Sequence, residues 1–272
     1  MGASSAGAHV LSFWYSPLLG LLQGLTEFLP VSSSGHLALA QMLIRGFEQP
    51  GVVYDAMLHV GTALAVVWYE RREIVRWLTH PEGRRLLGLL AVGTMATGVL
   101  AFPLRGVAES AFERAAWVGG FLILTGCVVA GTRALAGGSS DQATTTWKQA
   151  LVVGLIQGVA VFPGISRSGV TIAAGLMAGL DRAWAARFSF LMSVPTILAV
   201  TVLEVFGERH QITGAGPSFV IACAVGALVA ATAGYVALGI VVRTLQSHSF
   251  HRFAWYCLPV GLLVLGLSLR GQ

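Results

Sequence analysis

Long apolar runs separated by short polar clusters set the pattern of this chain. The first run extends from about Leu11 to Leu29 and breaks at Pro30 and three consecutive serines, Ser32, Ser33 and Ser34. A second, from about Gly35 to Ile44, is short. Neither makes a clean span of about 20 apolar residues. Together they predict a re-entrant helical hairpin, a form tolerated where it is buried in protein or lines a cavity. Residues 1–10, small and polar, read as a frayed start. Three fuller spans follow at about Val52–Tyr69, Leu86–Pro103 and Ala115–Thr132, then a Gly/Ser/Thr-rich linker, Ala136–Thr146. The pattern then restarts. A broken pair occupies about Lys148–Phe162 and Ser168–Leu180, and three spans follow at about Trp184–Phe206, Pro217–Val242 and Phe253–Leu269.

The restart is visible residue by residue. Shifted by 134 positions, Gly154–Gly169 falls on Gly20–Gly35 without a gap. Gly20, Leu21, Gln23, Gly24, Phe28, Ser32, Ser34 and Gly35 recur identically, eight of sixteen. The chain therefore reads as one integral membrane domain, 1–272, with an internal repeat of halves at about 11–135 and 148–270. The expected fold is an all-α polytopic membrane protein. Each half supplies a re-entrant helical hairpin and three transmembrane helices, six spans in total. Three spans is an odd number, so the second half is expected to be inverted in the bilayer. Inverted repeats with broken helices build polar sites near the midplane.

Composition agrees with a membrane setting. The 272 residues are 55% hydrophobic and only 11% charged, where soluble domains carry roughly a quarter charged residues. The net charge is +5, and all but one of the 17 basic residues are Arg, Lys148 being the exception. They sit between apolar runs, which makes them topology signals rather than a nucleic-acid patch. With the loop Glu70–Arg85 inside, that side holds Arg71, Arg72, Arg76, Arg84, Arg85, Arg133, Lys148, Arg182, Arg187, Arg243 and Arg252. The outside holds Arg45, Arg105, Arg114, Arg209 and Arg270, five against eleven. Both termini then lie outside. The first hairpin enters from the outer face and the second from the inner. Cys127, Cys223 and Cys257 lie in apolar runs without CxxC spacing and read as small buried hydrophobes, neither a disulfide framework nor a metal site. No basic residue precedes the first apolar stretch, which argues against a cleaved signal peptide.

The candidate chemistry lies where the two hairpins differ. Glu27 aligns with Val161, Ser33 with Arg167 and His36 with Val170. One copy thus brings a carboxylate and an imidazole and the other a guanidinium, which predicts one composite site. Arg167, flanked by Ser166 and Ser168 after Pro163-Gly164, suits a phosphate at a helix N-terminus; its alternative role is to pair with Glu27 and hold the repeats together. Ser32 and Ser34 either contact substrate or cap the helix that begins near Gly35. Gln23 and Glu27, four apart, share a helix face. Beside bound phosphates they would hold a divalent cation through oxygen ligands, or Glu27 would act as a general base. His36 is a candidate nucleophile or acid–base group. His80 and His210 read as structural or solvated. So does His59, although Asp55 lies four residues before it, and Asp55 itself reads as an interfacial or site-orienting group. There is no Walker loop and no Cys followed five residues later by Arg. Ser34-Gly35-His36 is shared with phosphatidic-acid-type membrane phosphatases, but Ala173 stands where their histidine would follow Ser166-Arg167, and their Lys motif is missing.

Gln23-x-x-x-Glu27-Phe-Leu-Pro-Val-Ser-Ser-Ser-Gly-His36 and Pro163-Gly-Ile-Ser-Arg-Ser-Gly-Val-Thr171 closely resemble the two signature motifs of bacterial undecaprenyl-diphosphate phosphatases of the bacitracin-resistance type. Phe188-Ser-Phe-Leu-Met-Ser-Val-Pro195 resembles a third block of that family, and the similarity covers essentially the whole chain. The first position of the glutamate motif is often Glu in the family; Gln23 is a variant that removes a charge from any metal site. Ser34 stands where some members have Thr. The resemblance implies hydrolysis of undecaprenyl diphosphate to undecaprenyl phosphate, recycling of the carrier for cell-wall synthesis, and bacitracin resistance. It implies a divalent cation (Mg or Ca), a bacterial inner (plasma) membrane location and a site facing the outer side. It further implies functional roles for Glu27, Ser33, His36, Ser166, Arg167 and Thr171, with Gln23 at the variant position. Ser33, His36 and an activated water remain alternatives as nucleophile. A polyprenyl-phosphate flippase is the alternative function, because inverted repeats are also a transporter architecture. Oligomeric state does not follow from the sequence, which is compatible with a homo-oligomer.

Overall fold

A computed structural model describes residues 3–44, 52–208 and 216–270. Its helices are α1 (Ala3–Phe28), α2 (Ser33–Leu43), α3 (Val52–Tyr69), α4 (Arg71–Thr79), α5 (Glu82–Phe112), α6 (Ala115–Gly131), α7 (Trp147–Val159), α8 (Arg167–Met177), α9 (Arg182–Gly207), α10 (Pro217–Gln246) and α11 (Ala254–Arg270). Among the described residues five segments, centred on α5, α6, α9, α10 and α11, are long and apolar enough to cross a membrane, and the shorter Val53–Tyr69 adds a sixth apolar helix. The protein is an all-α, polytopic membrane protein. Large apolar side chains such as Trp68, Phe102, Leu203 and Leu263 stand exposed on its outside, as a lipid-facing surface requires.

The pairings in the second half repeat those in the first. α1 lies along α10, and its counterpart α7 lies along α5. α3 packs on α9, and α6 on α11. Lipid tails are as apolar as Leu, so such helices associate by close packing of small residues. Two aligned glycines show this. A Cβ on Gly20 would stand 2.4 Å from the Gly226 carbonyl oxygen, and one on Gly154 would stand 2.2 Å from that of Gly93.

Several boundaries differ from the sequence reading. α1 begins at Ala3, not near residue 11. Ala3, Ala6 and Ala8 are strong helix formers that a hydropathy reading undervalues. At 1.5 Å per residue its 26 residues reach about 39 Å, so the first hairpin has one long arm where a short one was expected. α5 and α10 run past the apolar windows to total lengths of 31 and 30 residues, because helix hydrogen bonding does not stop where hydropathy falls, and Pro103 is accommodated inside α5. α4, in the charged segment after α3, was not foreseen; it buries Trp77. Cys223 and Cys257 are buried as expected, whereas Cys127 is exposed on α6, where a small apolar side chain is at home against lipid. Arg45, Arg209 and His210 lie outside the described residues.

The linker is docked. Gly138 N–H donates to Leu180 O (3.0 Å) and Asp181 N–H to Ser140 O (2.8 Å). Arg182 donates to the Leu135 and Ala136 carbonyls, and Arg85 to those of Gln142 and Thr145. Asp141 Oδ1 accepts from the Thr144 hydroxyl (2.8 Å) and backbone (3.0 Å), which holds its carboxyl below the usual range. Thr146 and Gln149 form a reciprocal capping box at the start of α7. At the same end of the bundle, Arg187 Nε and Nη2 grip Glu70 bidentately (2.9 and 2.5 Å) and tie the end of α3 to α9.

Candidate active site

The two hairpin turns meet. Ser32 caps α2, its Oγ accepting from Gly35 N–H (3.3 Å) and, across the hairpins, from Gly164 N–H (3.0 Å). To reach both, Ser32 adopts φ 68°, a left-handed conformation uncommon for a serine. Gly164 has φ +100°, and a Cβ there would stand 2.4 Å from Val118 O. Both demands exclude a side chain. Ser166 caps α8 in the aligned position, accepting from Gly169 N–H (3.2 Å). Each turn is also fastened by the last span of the other half. Thr125 on α6 donates to Gly164 O (2.8 Å) and accepts from Ser166 N–H (2.9 Å). Cys257 on α11 donates to Pro30 O (3.2 Å).

This contact closes a buried polar cluster around Glu27, which is 6% exposed. Glu27 Oε2 accepts from the Ser33 hydroxyl at 2.5 Å and from Gln23 Nε2 at 2.9 Å. Its Oε1 accepts from Arg167 Nη2 at 2.5 Å. Arg167 Nη1 is buried without a partner. The sequence-predicted Gln23, Glu27, Ser33 and Arg167 therefore form one network, and the Glu27–Arg167 pairing foreseen as an alternative is present. His59, on α3, joins them: its Nδ1 lies 2.8 Å from Gln23 Nε2 and 3.4 Å from Glu27 Oε2. Asp55, four residues before it, accepts from Gln41 Nε2 (2.9 and 3.2 Å).

His36 is held separately. Its Nδ1 lies 2.8 Å from Ser32 O, and since a carbonyl only accepts, Nδ1 carries the proton. The bare Nε2 then accepts from the Tyr256 hydroxyl at 2.7 Å, with the two rings stacked at 5.7 Å. Ser34 is half-buried, 3.4 Å from Ser32 Oγ. Ser166, Ser168 and Thr171 are buried. Ser168 donates to Leu29 O (3.2 Å), and Thr171 donates to Arg167 O (2.7 Å) and pairs with Ser189 Oγ (2.6 Å). Ser189 lies in the block Phe188–Pro195, whose Phe190 meets Phe28 edge-on at 5.5 Å, so that block touches both hairpins. His80 is exposed and bonded to Thr79 and the Arg76 carbonyl, as expected of a solvated histidine.

The family model for the bacitracin resistance protein BacA matches residues 16–263. The chain belongs to this family. The matched span takes in both hairpin turns and the part of α11 that carries Tyr256 and Cys257. Among similar proteins, an undecaprenyl-diphosphatase of Desulfatibacillum aliphaticivorans is 39% identical over 91% of this chain and 96% of its own. Undecaprenyl-diphosphatase 3 of Bacillus cereus is 37% identical over 92% and 95%. An undecaprenyl-diphosphatase of Methanosphaera stadtmanae is 34% identical over 93% and 96%.

Two residues of this BacA-family site escaped the sequence reading. In the sequence His59 reads as structural or solvated, raised above the other lone histidines only by Asp55 four residues before it and by a span adjoining the site, with no role assigned. Tyr256, 220 residues from His36, sits in an apolar run where a single tyrosine carries no signal of its own. The cluster also offers oxygen donors to a divalent cation. Gln23 Oε1 is buried without a partner, one turn from the Glu27 carboxylate. Among the described residues no group of three or more His, Cys, Asp and Glu forms a metal cage. Two protein oxygens fit a cation that takes its remaining ligands from phosphate and water.

Proposed function

We propose that this chain hydrolyses undecaprenyl diphosphate to undecaprenyl phosphate and phosphate, recycling the lipid carrier for cell-wall synthesis and so conferring bacitracin resistance. One observation carries the reading beyond family membership. A single buried carboxylate, Glu27, holds the Ser33 hydroxyl of one hairpin and the Arg167 guanidinium of the other, and Arg167 keeps Nη1 free. That places a hydroxyl, a base and an unspent cationic donor at one point in an apolar body, which suits a diphosphate on an apolar tail.

In this reading Arg167 binds the terminal phosphate through Nη1 and offsets the charge that develops on its oxygens. The 2.5 Å Ser33–Glu27 hydrogen bond favours Ser33 over His36 and water as nucleophile. Ser33 Oγ bonds to the terminal phosphorus, its proton passes to Glu27, and the bridging P–O bond breaks to release undecaprenyl phosphate. Water then cleaves the phosphoserine and frees phosphate. His36, oriented by Ser32 and Tyr256, supplies Nε2 at the edge of the site for proton transfer. Ser32 and Ser34, with Ser166, Ser168 and Thr171, shape and cap the two helix ends that receive the phosphates. Gln23 and Glu27 would hold a Mg or Ca ion, which when bound supplies charge neutralisation on the phosphate oxygens.

The two halves, about 11–135 and 148–270, are inverted repeats of one membrane domain, and the arginine asymmetry favours a plasma-membrane orientation with the site open to the outer side. The test is phosphate release from undecaprenyl diphosphate by the purified protein in detergent, where no gradient exists. Release is expected. Lipid binding without release would favour a flippase instead.

A further inference from the structure

His59 is the residue around Glu27 that the proposed reaction leaves without a part. Hydrogen-bond logic supplies one. A carboxylate only accepts, so the Gln23 amide atom 2.9 Å from Glu27 Oε2 is the nitrogen. The same nitrogen lies 2.8 Å from His59 Nδ1. Nδ1 is therefore an acceptor, because an N–H there would point at another N–H. Both hydrogens of the Gln23 amide are then engaged, one by Glu27 and one by His59. Flipping the amide would set Oε1 against the Glu27 carboxylate and forfeit that bond, so the contact with Glu27 fixes the amide and the amide fixes the His59 tautomer. What remains is Oε1, buried and without a partner on a residue that is 0% exposed.

We propose that His59 is a positioning residue that makes Gln23 an oxygen ligand for a divalent cation. By taking one amide hydrogen while Glu27 takes the other, it leaves the carbonyl oxygen, not the NH2, free to bind. This rests on the cation reading given above and deepens it. It also explains how a neutral glutamine serves where a carboxylate would otherwise stand: the ligand oxygen is fixed by hydrogen bonds rather than attracted by charge. The aligned glutamine of the second hairpin marks the boundary of the argument. Gln157 also leaves Oε1 unpartnered, but its Nε2 is held by the hydroxyls of Thr97 and Thr196, and Val161 stands where Glu27 would be. An orphan oxygen without a carboxylate one turn away offers a cation a single ligand.

The test uses purified full-length protein in detergent and Mn²⁺ as the probe, with binding read by electron paramagnetic resonance, alone and with methylene diphosphonate. Removal of a residue that orients a metal ligand typically costs about 10- to 100-fold in metal affinity. His59→Leu is expected to weaken Mn²⁺ binding by about tenfold on that scale. His59→Asn, whose side-chain oxygen replaces Nδ1 as acceptor, is expected to restore most of it. In a Gln23→Glu background, where there is no amide to orient, His59→Leu is expected to change the affinity by less than about twofold. Unchanged Mn²⁺ binding in His59→Leu overturns the proposal, as does an equal loss in both backgrounds. If the wild type binds no Mn²⁺ yet releases phosphate in the presence of a chelator, the cation reading itself fails and takes this inference with it.

Discussion

Gln23 and Gln157 occupy the same place in the two hairpins, both are buried, and both turn their amide nitrogen toward two partners. Around Gln23 the partners are Glu27 and His59, ionisable groups. Around Gln157 they are two threonine hydroxyls. The first hairpin goes on to Ser33 and His36, while the second offers Arg167 and Val170 in those positions. The shared glutamine, glycines and capping serines are thus the architecture of a hairpin that must bury its backbone in an apolar body. The divergent positions are the chemistry. A duplicated scaffold lets one copy carry the carboxylate and hydroxyl and the other the guanidinium, which the proposed reaction uses for phosphate, without either needing to house opposite charges alone.

The sharpest way to break this division is Arg167→Ala, which removes the second hairpin's contribution. Losing a donor aimed at transition-state charge costs about 10²- to 10³-fold, and the upper end is expected here for phosphate release because Glu27 also loses its partner. Activity within tenfold of wild type, in protein that melts normally, would mean that the first hairpin suffices. A smaller effect is expected from Tyr256→Phe, which keeps the ring stack on His36 but deletes the hydroxyl. One hydrogen bond of about 1.4 kcal/mol corresponds to tenfold, expected in kcat rather than KM. An unchanged kcat would remove His36 from the chemistry as proposed. The smallest change in turnover is expected from Gln157→Leu. It should lower stability by about 1 kcal/mol, visible as a reduced melting temperature, with turnover within twofold. A large loss of turnover would show that the second glutamine is more than scaffold.

Much of this was legible in the sequence, for identifiable reasons. Spans announce themselves because lipid demands unbroken apolar stretches, and the repeat at an offset of 134 residues shows because its eight matches in sixteen include Gln and Ser, which apolar bias does not supply. Gln23, Glu27, Ser33 and Arg167 were found because a polar group in an apolar run is costly. Length was misjudged where helices outrun their hydropathy, in α1, α5 and α10. α4 was missed because its charges read as a loop. His59 and Tyr256 were missed because their meaning lies in contacts made by other helices. His59 gains its role from the Gln23 amide across the α1–α3 interface, and Tyr256 from an imidazole at the other end of the chain.

The fastening of each turn by the opposite half bears on how the protein is made. Pro30 leaves the ribosome early, but the Cys257 thiol that meets its carbonyl is 227 residues downstream. Thr125, by contrast, is already in place when Gly164 and Ser166 arrive, 39 and 41 residues later. The second turn can dock as it is synthesised. The first must wait in the membrane, its carbonyl unmet, until the last helix inserts. Biogenesis therefore completes last the hairpin that is translated first, and a chain truncated before α11 would carry both turns without the Cys257 contact to Pro30 or the Tyr256 contact to His36.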